Sequence, residues 1–88
     1  MNTAFLLMAQ YNGQAIIPLD TVCRDYFAGM TPSHMLRRVS AGEIKLPVVR
    51  MDKSQKCAKG VHLQDLAAYL DDRRAAAQKE MQQLRAAA

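Results

Sequence analysis

Residues 31–42, TPSHMLRRVSAG, decide how the rest of this chain is read. Thr31 is a good helix N-cap, and Pro32 suits the first helical position, where its missing N–H costs nothing. Gly42 suits the position just past a helix end, where the backbone turns left-handed. The stretch therefore predicts one short helix. At 100° per residue, Met35, Leu36 and Val39 share one side, while His34, Arg37, Arg38 and Ala41 share the other. One face can pack on a core. The opposite face offers two guanidiniums, an imidazole and a small residue. A helix of this size fits the major groove of duplex DNA, where arginine pairs with guanine. The competing reading is the solvated face of an ordinary surface helix, and the flanking sequence bears on the choice.

Upstream, Leu19, Val22, Cys23 and Tyr26 recur at helical spacing with Phe27 beside them, predicting a helix over roughly 19–28. Ala28-Gly29-Met30 joins it to the Thr31 helix. Two short helices with a Gly-containing turn read as a helix-turn-helix over 19–42, the first bracing and the second entering the groove. Downstream the period changes. Ile44, Leu46, Val48, Val49 and Met51 read as an extended run with Pro47 near its start. Residues 52–56, DKSQK, form a polar tip, and residues 57–62, CAKGVH, return as a second strand. A hairpin over 44–62 beside a helix-turn-helix is a wing, whose lysines suit phosphates. The competing reading is a charged loop that keeps an edge strand soluble.

Before these elements, AFLLMAQY reads as an apolar helix within 1–14, with Thr3 as its cap and a strand as the alternative. Ala15-Ile16-Ile17, stopped by Pro18, reads as a small edge strand. From Leu63 the helical period returns. Leu63, Leu66, Ala67 and Leu70 form a stripe that Ala77, Met81 and Leu84 prolong sparsely, so the last helix is expected over 63–86. The whole reads as one domain over 1–88, mainly α with a small β-hairpin: a winged helix-turn-helix DNA-binding domain.

Charge distribution points the same way. The 88-residue chain carries a net +4. Residues 31–60 hold seven basic side chains against Glu43 and Asp52, a net of +5, so the flanking thirds contribute none of the excess. A basic centre with a neutral remainder resembles a nucleic-acid footprint. The candidate DNA contacts are Ser33, His34, Arg37 and Arg38 on the helix, and Lys45, Arg50, Lys53, Ser54, Gln55, Lys56 and Lys59 in the following strand and wing.

Other classes find less support. No phosphate-binding glycine loop, nucleotide fingerprint or HExxH is present, so no catalytic residue, cofactor or enzyme activity is expected. Cys23, His34, Cys57 and His62 match no usual zinc spacing, so no metal is expected. Asp71-Asp72 is followed by Arg73-Arg74 and reads as surface charge pairing rather than an acid/base site. No apolar run reaches the ~20 residues of a membrane span. The N-terminus lacks the charged region and cleavage pattern of a signal peptide. Two cysteines fit a reduced, cytoplasmic protein. A chain this short with so apolar an N-terminal segment is expected to self-associate as a homodimer, through that segment or the last helix.

The segments MNTAFLLMAQY, AIIPLDTVC, RRVSAGEIKLPVVR, SQK and GVHLQDLAAYLD, in this order and spacing, resemble the pyocin activator protein family, PrtN. The resemblance covers nearly the whole chain and weakens in the Ala-rich tail. It implies a small DNA-binding transcriptional activator of pyocin genes, the phage-tail-like bacteriocin clusters, with promoter DNA and RNA polymerase as partners. More loosely, helix-turn-helix plus hairpin plus helix resembles the winged excisionase and MerR-type domains. An excisionase-like DNA-bending role, and a phage-type adaptor acting on a protein partner, stand as alternatives. The resemblance brings no residue-level binding map.

Overall fold

The computed structural model describes residues 2–87 and is mainly helical, with a small three-stranded antiparallel sheet. Helix α1 (Thr3–Gln10) opens the fold. Its cap is Asn2 rather than the expected Thr3: the Asn2 side chain accepts from the Ala4 N–H at 2.7 Å, while the Thr3 hydroxyl donates to Asp71 far along the chain. The helix is also shorter than the sequence implied. It closes after Gln10 because Asn12 and Gly13 turn left-handed and the Gly13 N–H returns to the Met8 carbonyl at 2.8 Å, a Schellman-type stop.

Strand β1 (Ile16–Pro18) lies at a sheet edge, and Pro18 hands the chain directly to helix α2 (Leu19–Tyr26). Leu19, Val22 and Cys23 are buried along α2, and the helix stops two residues earlier than its spacing implied, where Ala28 and Gly29 reverse the chain. Helix α3 (Pro32–Ser40) follows the cues in its sequence closely. The Thr31 hydroxyl accepts from the His34 N–H, Pro32 takes the first turn, and Gly42 sits at φ 77° just past the end. Met35 is fully buried, with Leu36 and Val39 half-buried beside it.

The extended run expected from Ile44 is largely not a strand. Only Val49–Arg50, strand β2, enters the ladder. Pro47 lacks an N–H to donate, and residues 44–48 pack by side chain instead: Ile44 and Leu46 point into the core while Lys45 and Pro47 face solvent. The return strand, β3 (Lys59–His62), is likewise shorter than the expected 57–62. It is the central strand of the sheet, in the order β1-β3-β2, so the hairpin is stitched to β1 rather than standing free.

Helix α4 (Leu63–Ala87) starts without a break from β3. The Nδ1 of His62 accepts from the Gln64 N–H at 3.0 Å, so the imidazole serves as the cap. Leu63, Leu66 and Ala67 are buried, and residues 71–87 are exposed throughout. Helix α1 runs antiparallel to the start of α4, with Thr3 at Asp71 and the Ala15 carbonyl at the Leu63 N–H. One apolar cluster joins Leu7, Ile17, Val22, Met35, Leu46, Val61 and Leu66, so every helix and both longer strands feed the same core.

A second set of contacts ties α1 to α2. The Tyr11 hydroxyl donates to Asp25 at 2.7 Å, Arg24 pairs with the same carboxylate at 3.0 Å, and the Tyr26 hydroxyl donates to Gln10 at 2.7 Å. The hydrogen bond from Tyr11, then that from Arg24, holds Asp25 below the usual carboxylate range. Burial, reinforced by Asp25, pushes the Tyr11 phenol above its ordinary value.

At Gly60, paired with Pro18 on one side and Val49 on the other, an added Cβ would lie 2.6 Å from both the Ile17 carbonyl oxygen and Ile16 Cγ2. The carbonyl cannot move without opening the sheet. Gly60→Ala should therefore destabilise the protein by about 1–3 kcal/mol, read as a lower midpoint in urea. The Asp25 cluster sets a pH dependence. Because its pKa is lowered on folding, Asp25 contributes stability above its unfolded value near ~3.9 that is lost as pH falls through the folded value. Tyr11, raised on folding, contributes stability below ~10 that is lost at higher pH. Tyr11→Phe should flatten both limbs of the melting temperature against pH. Unchanged acid and alkaline limbs would remove this cluster from the account.

Candidate nucleic-acid interface

Helix α3 and the segment between β2 and β3 lie side by side. A groove of about 330 Å³ separates them, lined by Leu36 of α3 and by Arg50, Lys53, Ser54, Gln55 and Lys59. It continues into a second hollow where Ser33 and Leu36 face Cys57, Ala58 and Lys59. Thus Ser33, Arg50, Lys53, Ser54, Gln55 and Lys59, far apart in sequence, border one continuous depression.

The loop has a defined local structure. Asp52 accepts from the Ser54 N–H at 2.6 Å, and the Ser54 hydroxyl accepts from the Lys56 N–H at 3.1 Å. These Asx and Ser/Thr turns curl the tip and leave Lys53 and Lys56 exposed. Lys59 behaves differently. Its Nζ donates to the Gln55 carbonyl at 2.7 Å and to the Cys57 carbonyl at 3.3 Å, so the ammonium fastens the loop.

On α3, Arg37 and His34 stand exposed on the outer face. The ion pairs among the described residues are Arg24–Asp25 and Arg38–Glu43, so Arg37 belongs to neither. Helical spacing offers Arg38 as the guanine reader with Arg37 nearer the backbone, and the structure gives Arg38 an acidic neighbour. The Arg38 side chain is only 38% exposed and lies 3.8 Å from Glu43, and it does not line the groove. Spacing alone put Arg38 level with Arg37. It did not show that the chain after Gly42 would bring Glu43 back beside it. Lys45 also lies apart, in a depression with Glu43, Tyr69, Asp72 and Arg73 against α4.

The residues weighed as zinc ligands are dispersed over the fold: Cys23 is buried in α2, His34 is exposed, Cys57 borders the groove and His62 caps α4. Among the described residues, no three His, Cys, Asp or Glu side chains gather as a metal site. Burial pushes the Cys23 thiol up, away from the reactive thiolate. No helix among the described residues is long and apolar enough to cross a membrane. What sequence reasoning missed is the role of Leu36 as the apolar floor of the groove and of Asp52 as organiser of the tip. The D-x-S spacing of residues 52–54 was the available signal for the second.

Neither a curated protein nor a solved structure matches the chain. The family model for pyocin activator protein PrtN, however, matches residues 3–77, which takes in α1, α2, α3, the three strands and α4 as far as residue 77. With most of its length so matched, the chain belongs to the pyocin activator protein PrtN family.

Proposed function

We propose that this protein is a sequence-specific double-stranded DNA-binding activator of pyocin genes, built as a winged helix-turn-helix and acting in the cytoplasm without catalysis. In this reading α2 braces, α3 enters the major groove, and the loop after β2 is the wing. The observation that carries it is the juxtaposition of α3 with the basic loop across one groove, in the third of the chain that holds the net charge of +5. Family membership supports the activating role. Promoter DNA is the first partner, and RNA polymerase, which an activator must engage, is the second.

The site residues divide by what surrounds them. Arg37, exposed and outside the ion pairs described, is the base reader, with Ser33 and His34 beside it. Arg38, held by Glu43, reaches the adjoining backbone or a flanking base. Arg50, Lys53, Ser54, Gln55 and Lys56 meet phosphates from the wing. Lys59 supports the wing through the Gln55 and Cys57 carbonyls and contacts DNA with what donor capacity remains. Lys45 adds charge from the far flank.

The test is a set of titrations against a specific duplex, selected from a random pool, and a scrambled one. If ~4–6 phosphates are neutralised per protomer, log K should fall against log salt with a slope of roughly −4 to −5. Arg37→Ala should cost about 1–3 kcal/mol on the specific duplex and much less on the scrambled one. Lys53→Ala and Lys56→Ala should weaken both duplexes alike and make the slope shallower by roughly one unit each. A flat salt response contradicts DNA binding. Folded Arg37→Ala and Arg38→Ala variants with an unchanged specific-to-scrambled ratio would contradict α3 as the reader.

A further inference from the structure

Helix α4 outruns the body it packs on. Leu63, Ala67 and Leu70 begin a stripe that continues through Arg74, Ala77, Met81 and Leu84 in alternating steps of four and three residues. The first part of the stripe is covered by α1 and the sheet. The second part is bare: Met81 is 58% exposed and Leu84 is 63% exposed. Alternating steps of this kind form the seam of a paired coiled coil.

We infer that residues 71–87 of α4 pair antiparallel with the same segment of a second copy of this chain. Sterics select the direction. Helix α1 and the sheet lie on the same side of α4 as the stripe and reach along it to Asp71, where Thr3 bonds. A parallel partner would bring its own α1 and sheet into that space. An antiparallel partner ends where α1 begins, with residue 87 of one copy opposite residue 71 of the other. That register sets Met81 of each copy against the small Ala77 of the other, twice over. Along one flanking edge, a step off the core layers, Asp71 of each copy comes beside Arg85 of the other, twice, a complementary charge pair. Arg74 lies opposite Leu84, where its methylene stem covers apolar surface while the guanidinium reaches water. Along the other flanking edge Glu80 meets its own copy, one like pair near the two-fold axis. The seam is thin, so association in the micromolar range is expected.

For function, and here the inference rests on the DNA reading above, two bodies held this way present two α3 helices related by a two-fold axis, which suits inverted half-sites. The association itself needs no DNA and is tested without it. Sedimentation equilibrium of the full chain at micromolar concentration should show reversible dimers. The double variant Met81→Glu, Leu84→Glu should weaken association by at least about tenfold, with the melting temperature at low concentration unchanged, because neither side chain packs on the body. The control Phe5→Glu, Met8→Glu charges the other exposed apolar face, on α1. In a Cys57→Ser background, a mixture of Ala77→Cys and Met81→Cys chains should oxidise to the mixed 77–81 disulfide. A monomeric wild type overturns the proposal, as does a tail variant that still dimerises or an association lost only in the α1 control. Preferential 77–77 linkage overturns the antiparallel arrangement. A dimer that binds no duplex leaves the proposal standing and removes the DNA reading alone.

Discussion

The close approach of β1 to β3 at Gly60 is the constraint on which the other elements depend. Three short strands of this kind have little stability as a ladder alone. What makes the sheet persist is that its central strand carries Val61, fully buried, into the same core as Ile17 of β1 and Leu66 of α4. Gly60 lets the Ile17 backbone come near enough for that burial. From β3 the chain passes directly into α4 through the His62 cap, and through Val49 and Arg50 it fixes the root of the basic loop. Strand, long helix and loop are thus one mechanical unit.

Helix α3 packs on α2, which in turn packs on β3, and its buried Met35 with half-buried Leu36 and Val39 joins the same core as Ile44 and Leu46. Its outer face has no packing duty. The charges there are free to be arranged for a ligand, and the position of α3 relative to the loop follows from the core rather than from direct polar contacts. Electrostatics then sorts the basic residues. Lys59 and Arg38 are partly occupied within the protein, while Arg37, Lys53 and Lys56 are exposed and belong to neither ion pair among the described residues. The +5 of the middle third is therefore divided between loop architecture and open surface.

Much of the fold was legible because local chemistry agreed with tertiary structure. Thr31, Pro32 and Gly42 delimit α3 by capping alone, and the Leu63 stripe announces α4. Ile16 and Ile17 beside Pro18 read correctly as an edge strand. The failures share a cause. Ile44 to Val48 alternates like a strand, but alternation reports which side chains are buried and says nothing about backbone partners, and Pro47 withholds a donor. The Asn2 cap was obscured because Thr3 is also a capping type, and only Asp71 of α4 shows why its hydroxyl is engaged elsewhere. In the candidate site, helical spacing placed Arg37 and Arg38 on one outer face, but the salt bridge that separates them depends on the chain reversal at Gly42. Lys59 was legible as a charge and illegible as a loop fastener, since its acceptors are carbonyls that sequence does not locate.

The central claim is that α3 and the loop after β2 form one DNA-binding surface. Amide chemical-shift mapping of the labelled full chain, titrated with a duplex selected from a random pool, addresses it directly. The account predicts that the largest shifts fall on residues 33–38 and 50–56, with α1 and the buried face of α4 little changed. Shifts concentrated on α1, or none at saturating duplex, would contradict it.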